Sequence, residues 1–453
     1  MAKGKSPRTT ALQILTRIQD GAWADQLLKH HLSAVKMDAR DKRFITQLVF
    51  GVLRQRKLID YYLAELSNRP LGELDPPVLN ALRLGAYQIL RLRVPEYAAC
   101  DRTVEAVREI GFSRASGFVN GVLRNFIRKK DQLEIPAREN NLIQWLAVKY
   151  SHPEWIIKRW VDSFGERQAE ELCIRNNSKF DICLRVNRLK TTPGDLLDRL
   201  TGKDVAVSPA PWAPEALIFE DEGTPVDLEE FSEGLFSIQA QAPQLAVRAC
   251  GVTSQMRCLD MCAGVGGKTT YLAEMMNDNG EIMAVDIHKN KLNKLEQDCT
   301  RLDITSSVKT KNSDARKLTQ REIGLFDIVL VDAPCSGTGI FGRRPDARWN
   351  KSADLSQKMV KLQSQLLNAA SNLVAPGGAL VYCTCSLAEE ENEQRIHAFL
   401  NKNPDFAPDA LNEYLPEIPE LAASGPDVHD ITMFPHVHGT DGFYIARLRR
   451  LER

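Results

Sequence analysis

Beyond Gln239 the chain alternates short apolar segments with amphipathic ones, and that alternation leaves few folds open. Arg257–Met261, Glu281–Asp286, Phe326–Asp332 and Ala379–Cys383 read as strands. Thr269–Met276, Lys289–Leu302 and Leu355–Val374 read as helices between them, the last closed by Pro376-Gly377-Gly378. Strands that alternate with helices build a mainly parallel sheet with helices on both faces, because each parallel pair needs a long crossover. Ligands on such sheets sit beyond the carboxyl ends of the strands. The segments that follow each strand therefore carry the functional expectation.

At 453 residues the chain is too long for one ordinary core. Residues 1–140 read as an all-α domain, with apolar stripes such as Phe44, Ile45, Leu48, Val49 and Val52, and a helix started by Pro76 and Pro77. Residues 145–238 read as a small α+β module: a helix from Trp155 capped by Ser151, a strand Cys183–Asn187, a helix after Thr192-Pro193-Gly194-Asp195, and a strand Gly234–Ile238. Residues 239–453 hold the alternating α/β pattern. The zero net charge conceals an asymmetry: residues 1–150 carry 25 Lys and Arg against 15 Asp and Glu, and the remainder 34 against 44. A basic module suits a polyanion, although helices with basic solvated faces would read the same way. Lys36, Arg56 and Arg128 are candidate phosphate contacts, and Arg343, Arg344 and Arg348 are candidates for gripping a nucleic acid or for structural ion pairs. No apolar run approaches a membrane span, and the first residues lack a signal-like apolar stretch. Ten irregularly spaced cysteines without CxxC pairs make a poor disulfide or zinc framework and suit a reducing cytoplasm, so no metal is expected.

Cys262-Ala263-Gly264-Val265-Gly266-Gly267-Lys268-Thr269 lies between a strand and a helix, where glycines let the backbone approach a ligand. One reading is a phosphate-binding loop, since Gly267-Lys268-Thr269 resembles its end, but Cys262 stands where that motif requires glycine. The other is a site for S-adenosylmethionine. That reading wants an acidic residue at the end of the next strand to accept from ribose hydroxyls, and Asp286 is there. Asp314, after a further strand, is placed to face the adenine. Carboxylates at successive strand ends favour the adenosyl reading.

Two cysteines then stand apart. Cys100, Cys173, Cys183, Cys250, Cys258, Cys299 and Cys383 suit small buried core positions. Cys335 in Asp332-Ala-Pro-Cys-Ser336 and Cys385 in Thr384-Cys-Ser386 fall in polar turns after strands. Carbon 5 of cytosine is a poor nucleophile, and a thiolate added at carbon 6 makes it electron-rich, whereas transfer to nitrogen or oxygen needs no such step. Cysteines beside a methyl-donor loop therefore point to carbon methylation. A free thiol is only a few per cent ionised at neutral pH, so Lys268 or an arginine is expected to activate it. Asp332 is expected to hold the base.

The Asp332–Gly339 run, Arg343-Arg344-Pro345-Asp346 with Trp349, Thr384–Ser386 and the closing Asp441-Gly442-Phe443-Tyr444 resemble the cytosine-5 RNA methyltransferase family. The resemblance implies that Cys385 is the nucleophile and that Cys335 assists resolution of the adduct. It also implies that Cys262 to Lys268, Asp286, Asp314 and Asp332 serve cofactor and base. Where the family usually has CAAPGGK this chain has CAGVGGK, a change expected to loosen the turn. Leu84–Leu90 and Val119–Arg124 resemble the RNA-binding antitermination factor NusB. Together these imply a NusB-like all-α RNA-binding domain, an RNA-contacting α+β module and a Rossmann-like class I methyltransferase domain. The implied protein is a cytoplasmic monomer that modifies 16S ribosomal RNA, naked or in an early small-subunit particle.

Overall fold

The computed structural model describes residues 6–34, 37–221, 223–415, 418–423, 425 and 427–452. It divides into two compact units, Met1–Ser178 with Phe341–Ala353, and Lys179–Ile340 with Asp354–Arg453.

The first unit is helical: α1 (Pro7–Gln19), α2 (Ala24–Ala34), α3 (Ala39–Leu66), α4 (Pro76–Arg91), α5 (Glu96–Glu109), α6 (Ser116–Lys129), α7 (Leu142–Lys149) and α8 (Glu154–Asn177). The apolar stripes meet in one core that includes Leu12, Leu48, Leu82, Val107 and Phe126. Two features correct the sequence reading. Pro153, not Ser151, holds the position before α8, and Ser151 sits at φ +56° with its Oγ accepting the Lys57 N–H at 2.8 Å. That helix runs on to Asn177 across a kink at Gly165 and packs with the helical unit rather than with the following strands. Residues 341–353, placed by the alternation in the C-terminal domain, also belong here. Trp349 Nε1 donates to the Leu53 carbonyl at 2.8 Å, the Ala24 N–H donates to Asp346 at 2.9 Å, and Trp160 stacks against Phe341.

The second unit opens with β1 (Ile182–Val186), β2 (Val207–Pro209), β3 (Ala216–Phe219) and β4 (Phe236–Ile238), an antiparallel sheet in the order β2-β3-β1-β4. The helix Pro193–Thr201, capped by Thr192, packs Leu196 and Leu200 against Leu184, Val186 and Phe236. Then follow β5 (Arg257–Asp260), β6 (Glu281–Asp286), β7 (Val308–Asn312), β8 (Phe326–Asp332), β9 (Val374–Thr384), β10 (Phe406–Pro408), β11 (Asp430–Met433) and β12 (Phe443–Arg450). Their order is β10-β12-β9-β8-β5-β6-β7, with β11 paired to β12; β5 to β9 are parallel and β12 runs against β9. Cys258, Ile328, Val381 and Cys383 enter one core layer, and Leu259, Val329, Leu380 and Tyr382 the other. Gly267–Met275 and Lys289–Leu302 cover the first face, Leu355–Ser371 and Glu393–Leu400 the second. Pro376-Gly377-Gly378 lies inside β9 instead of closing a helix. The ladder to β8 shifts register there, which accommodates Pro376, with no backbone N–H to pair, and the two glycines after it. No helix among the described residues is long and apolar enough to cross a membrane.

Strand order reverses between β5 and β8. The carboxyl ends of β5, β6, β7, β8 and β9 share one edge of the sheet, and Cys262–Lys268, Asp286, Asp314, Asp332, Cys335 and Cys385 lie at or just after one of them.

Candidate active site

The loop after β5 is held by its backbone. The Ala263 N–H donates to the Val285 carbonyl at 2.9 Å, Gly264 N–H to Asp286 Oδ2 at 3.0 Å, and Gly266 N–H to the Ala263 carbonyl at 2.9 Å. Gly264 and Gly266 stand at φ +60° and +92°, and a Cβ on Gly266 would overlap the Leu295 side chain. The turn expected to be loosened by Gly264-Val265 is thus tied to the acidic residue beside it. Asp286, nearly buried, also accepts from the His288 N–H at 2.7 Å. Cys262 is half-buried, and burial pushes its thiol up. Asp314 follows β7, and both its oxygens accept from the Arg316 guanidinium, so an adenine amino group would use their remaining lone pairs.

Lys268 Nζ donates to Asp332 Oδ2 at 2.6 Å. Burial works against its ammonium, but Asp332, Cys383 and Asp260 hold its pKa above the ordinary lysine value, so Lys268 is a fixed cation. Its charge is directed at Asp332. Cys335 and Cys385 lie at the ends of neighbouring strands with their Sγ atoms 3.2 Å apart, both half-buried. The ladder continues past the strand ends to fix them: Ala333 N–H donates to the Cys383 carbonyl at 2.9 Å and Gly339 N–H to the Cys385 carbonyl at 3.0 Å. All ten cysteines are thiols. Cys383, assigned to the core from sequence, is fully buried and its thiol is pushed far up by burial.

Arg344 and Arg348, left open between nucleic acid and structure, take the structural side, and two residues went unread. Arg348 is fully buried and donates to the carbonyls of Asn176, Ser151 and Phe341 and to Asn177 Oδ1, so it is a structural pin of the helical unit and not a hand for nucleic acid. Arg344 pairs with Asp25 at 3.2 Å. Arg56 lies over the Trp349 ring, and burial lowers its pKa to about 10. Arg128 is exposed, and Lys36 lies outside the described residues. Asp260, at the end of β5, was missed: Oδ2 accepts from Thr269 at 2.7 Å, while the buried Oδ1 has no protein partner. Ile287 was missed too, although an apolar residue just outside a strand, next to Asp286, was the available signal; it is 62% exposed. Arg185 on β1 is fully buried and donates to Gln239 at 2.6 Å, the Gly267 carbonyl at 2.5 Å and Glu274 at 2.7 Å, anchoring the helix that follows the glycine loop.

Comparison with known proteins now bears on this geometry. The 16S rRNA methyltransferase RsmB/F family model matches residues 251–449, the NusB family residues 5–128, and the ferredoxin-like domain of RsmF/B-like methyltransferases residues 152–227. The chain is 35% identical to the "probable ribosomal RNA small subunit methyltransferase B" of Bacillus subtilis, over 99% of both chains. The chain belongs to the RsmB/F family of 16S rRNA methyltransferases. The crystal structure of the protein PH0851 covers 99% of this chain and all of its own at a TM-score of 0.80 and 27% identity. A methyltransferase homologue from Pyrococcus horikoshii covers 69% of this chain and 99% of its own, at 0.58 and 29%. The fold is therefore a NusB domain, a ferredoxin-like module where the sequence predicts a small α+β one, and a Rossmann-like methyltransferase domain.

Enzymes of the RsmB/F family depend on S-adenosylmethionine, and the residues present fit it. A glycine loop with Gly264 and Gly266 at positive φ lies against Asp286. Ile287, next to Asp286, and Val265, on the loop bonded to it, are each more than half exposed and offer apolar surface. The unmet Oδ1 of Asp260 is an acceptor of the kind the ligand's ammonium would satisfy.

Proposed function

We propose that this protein methylates carbon 5 of a cytosine in 16S ribosomal RNA through a transient Cys385–carbon 6 bond. The reading is carried by one observation: two half-buried thiols, 3.2 Å apart, lie on the sheet edge that also bears the glycine loop and the Lys268–Asp332 pair. In the proposed course, the Cys385 thiolate adds to carbon 6, and the electron pair of the carbon 5–carbon 6 double bond moves to carbon 5. S-adenosylmethionine, when bound, supplies the positively activated methyl group that carbon 5 accepts. A base then takes the carbon 5 proton, the double bond re-forms and the Cys385 sulfur leaves, with Cys335 assisting this resolution. Asp332, oriented by Lys268, receives the exocyclic amine or ring nitrogen of the base, a contact that strengthens as the adduct forms. Cys262 to Gly267, Asp286 and Asp314 would hold the cofactor.

The basic helical unit would bind RNA by phosphate contacts. The target base must be unpaired or flipped for carbon 6 to reach a sulfur. Ten thiols suit a reducing compartment. The test is a pair of variants assayed with tritiated S-adenosylmethionine and a 16S rRNA transcript. Cys385→Ala abolishes turnover, and Cys335→Ala accumulates a protein–RNA adduct stable to denaturing electrophoresis. The reverse pattern would exchange the two roles, and full activity of both variants would end the covalent reading.

A further inference from the structure

We infer that Glu391 is a positioning residue that holds the two cysteine loops in register, an inference that rests on the adduct reading above. Glu391 closes the short turn Glu389–Glu391 and is fully buried, whereas Glu389 is exposed and Glu390 and Glu393 are partly so. A buried carboxylate is costly unless donors meet its oxygens. Here they come from both loops. Oε2 accepts the N–H of Ser336, the residue after Cys335, at 2.8 Å; Oε1 accepts the hydroxyl of Ser386, the residue after Cys385, at 3.0 Å. Oε2 also accepts from Gln363 Nε2 at 2.9 Å, and that amide donates in turn to the Pro334 carbonyl at 3.0 Å. The Tyr382 hydroxyl donates to the Glu391 carbonyl at 2.7 Å, and the Ser336 and Ser386 hydroxyls lie 3.0 Å apart. One side chain thus bonds the residue that follows each reactive thiol.

The two loops depend on it unequally. Cys385 keeps further anchors, since Thr384 donates to Asn392 at 2.7 Å and Asn392 donates to the Ser386 carbonyl at 2.9 Å. Between the flanking bonds of Ala333 and Gly339, the backbone around Cys335 is tied at Pro334 and Ser336 by Gln363 and Glu391, which are bonded to each other. Loss of the carboxylate should therefore leave attack by Cys385 possible and misplace Cys335. Glu391→Gln retains the pattern: its oxygen accepts from Ser336 and Gln363, and its amide donates to the Ser386 oxygen.

The experiment uses the full chain with tritiated S-adenosylmethionine and a 16S rRNA transcript, and reads kcat, KM and adduct on denaturing gels beside Cys335→Ala and Cys385→Ala. Glu391→Ala should lower kcat about 100-fold, as sub-ångström to ångström misplacement does, with both KM values unchanged and the adduct persisting. Glu391→Gln should behave as wild type. Unchanged kcat in Glu391→Ala, or lost kcat without adduct while Cys335→Ala accumulates one, overturns the inference; so does a Glu391→Gln as impaired as Glu391→Ala. If Glu391→Ala does not fold, Glu391→Asp, which retracts the carboxylate by one methylene, carries the same prediction. If Cys335→Ala forms no adduct, the adduct reading itself falls and this inference with it.

Discussion

Burial raises the Asp260 pKa to about 6, against the help of the Thr269 hydroxyl. Between the ordinary carboxylate range and pH 6 the folded protein keeps a proton that the unfolded chain has released. Stability from this group is therefore lost as pH rises through that window. Asp260→Asn should be stabilised over wild type at pH 8, on the order of 2–3 kcal/mol, and little changed at pH 4, by thermal denaturation of the unliganded protein. The same variant should bind S-adenosylmethionine more weakly at pH 8 by calorimetry, because with one oxygen taken by Thr269 the other position becomes an amide nitrogen that cannot accept. Arg348 poses the opposite case, a buried cation against four oxygens, and burial lowers its pKa to about 9. Arg348→Ala leaves those acceptors unmet and should cost about 3 kcal/mol or more in denaturant unfolding, without altering the salt slope of RNA binding. The contrast shows what single residues disclosed. Cys335 and Cys385 were singled out because both fall in polar turns after strands, and the fold brings their Sγ atoms to 3.2 Å. Arg348 was not, because an arginine in a basic loop reads the same whether it faces solvent or a set of carbonyls. Asp260 was hidden inside an apolar strand pattern.

The glycine loop is an element whose backbone conformation its sequence dictates. Gly266 occupies the left-handed region at φ +92° against Leu295. Gly266→Ala should therefore destabilise the fold by about 1–3 kcal/mol and weaken S-adenosylmethionine binding, both measurable by calorimetry. Period and punctuation predicted β5, β6 and β8 and the helix Lys289–Leu302 closely. They failed where tertiary pairing overrode a local signal. Pro376-Gly377-Gly378 reads as a helix stop, yet pairing with β8 draws it into β9. Ser151 reads as a helix cap, yet its hydroxyl is taken by the Lys57 amide.

The excess of basic residues in the first third of the chain has a structural counterpart in Arg124, Arg128 and Lys129, all exposed on α6. Reversing all three charges should lower affinity for a 16S rRNA transcript and flatten its salt dependence by about 0.7 log units per lost phosphate contact, read from binding isotherms across salt. Domain content and order were legible from the sequence, with the family models falling at 5–128, 152–227 and 251–449, but the packing of one inner segment was not. Residues 341–353 carry a motif of the methyltransferase domain, yet Trp349, Asp346 and Arg348 anchor them in the helical unit, and only the folded chain discloses such partners. The central claim is that a Cys385 sulfur bonds transiently to carbon 6 of a cytosine, and it can be tested by locating that bond. With 16S rRNA in which the cytosines carry fluorine at carbon 5, elimination is blocked, so the adduct survives digestion and peptide mass spectrometry. A nucleotide on the peptide containing Thr384-Cys385-Ser386 is the predicted result; a nucleotide on Cys335, or methyl transfer with no adduct on either cysteine, would contradict it.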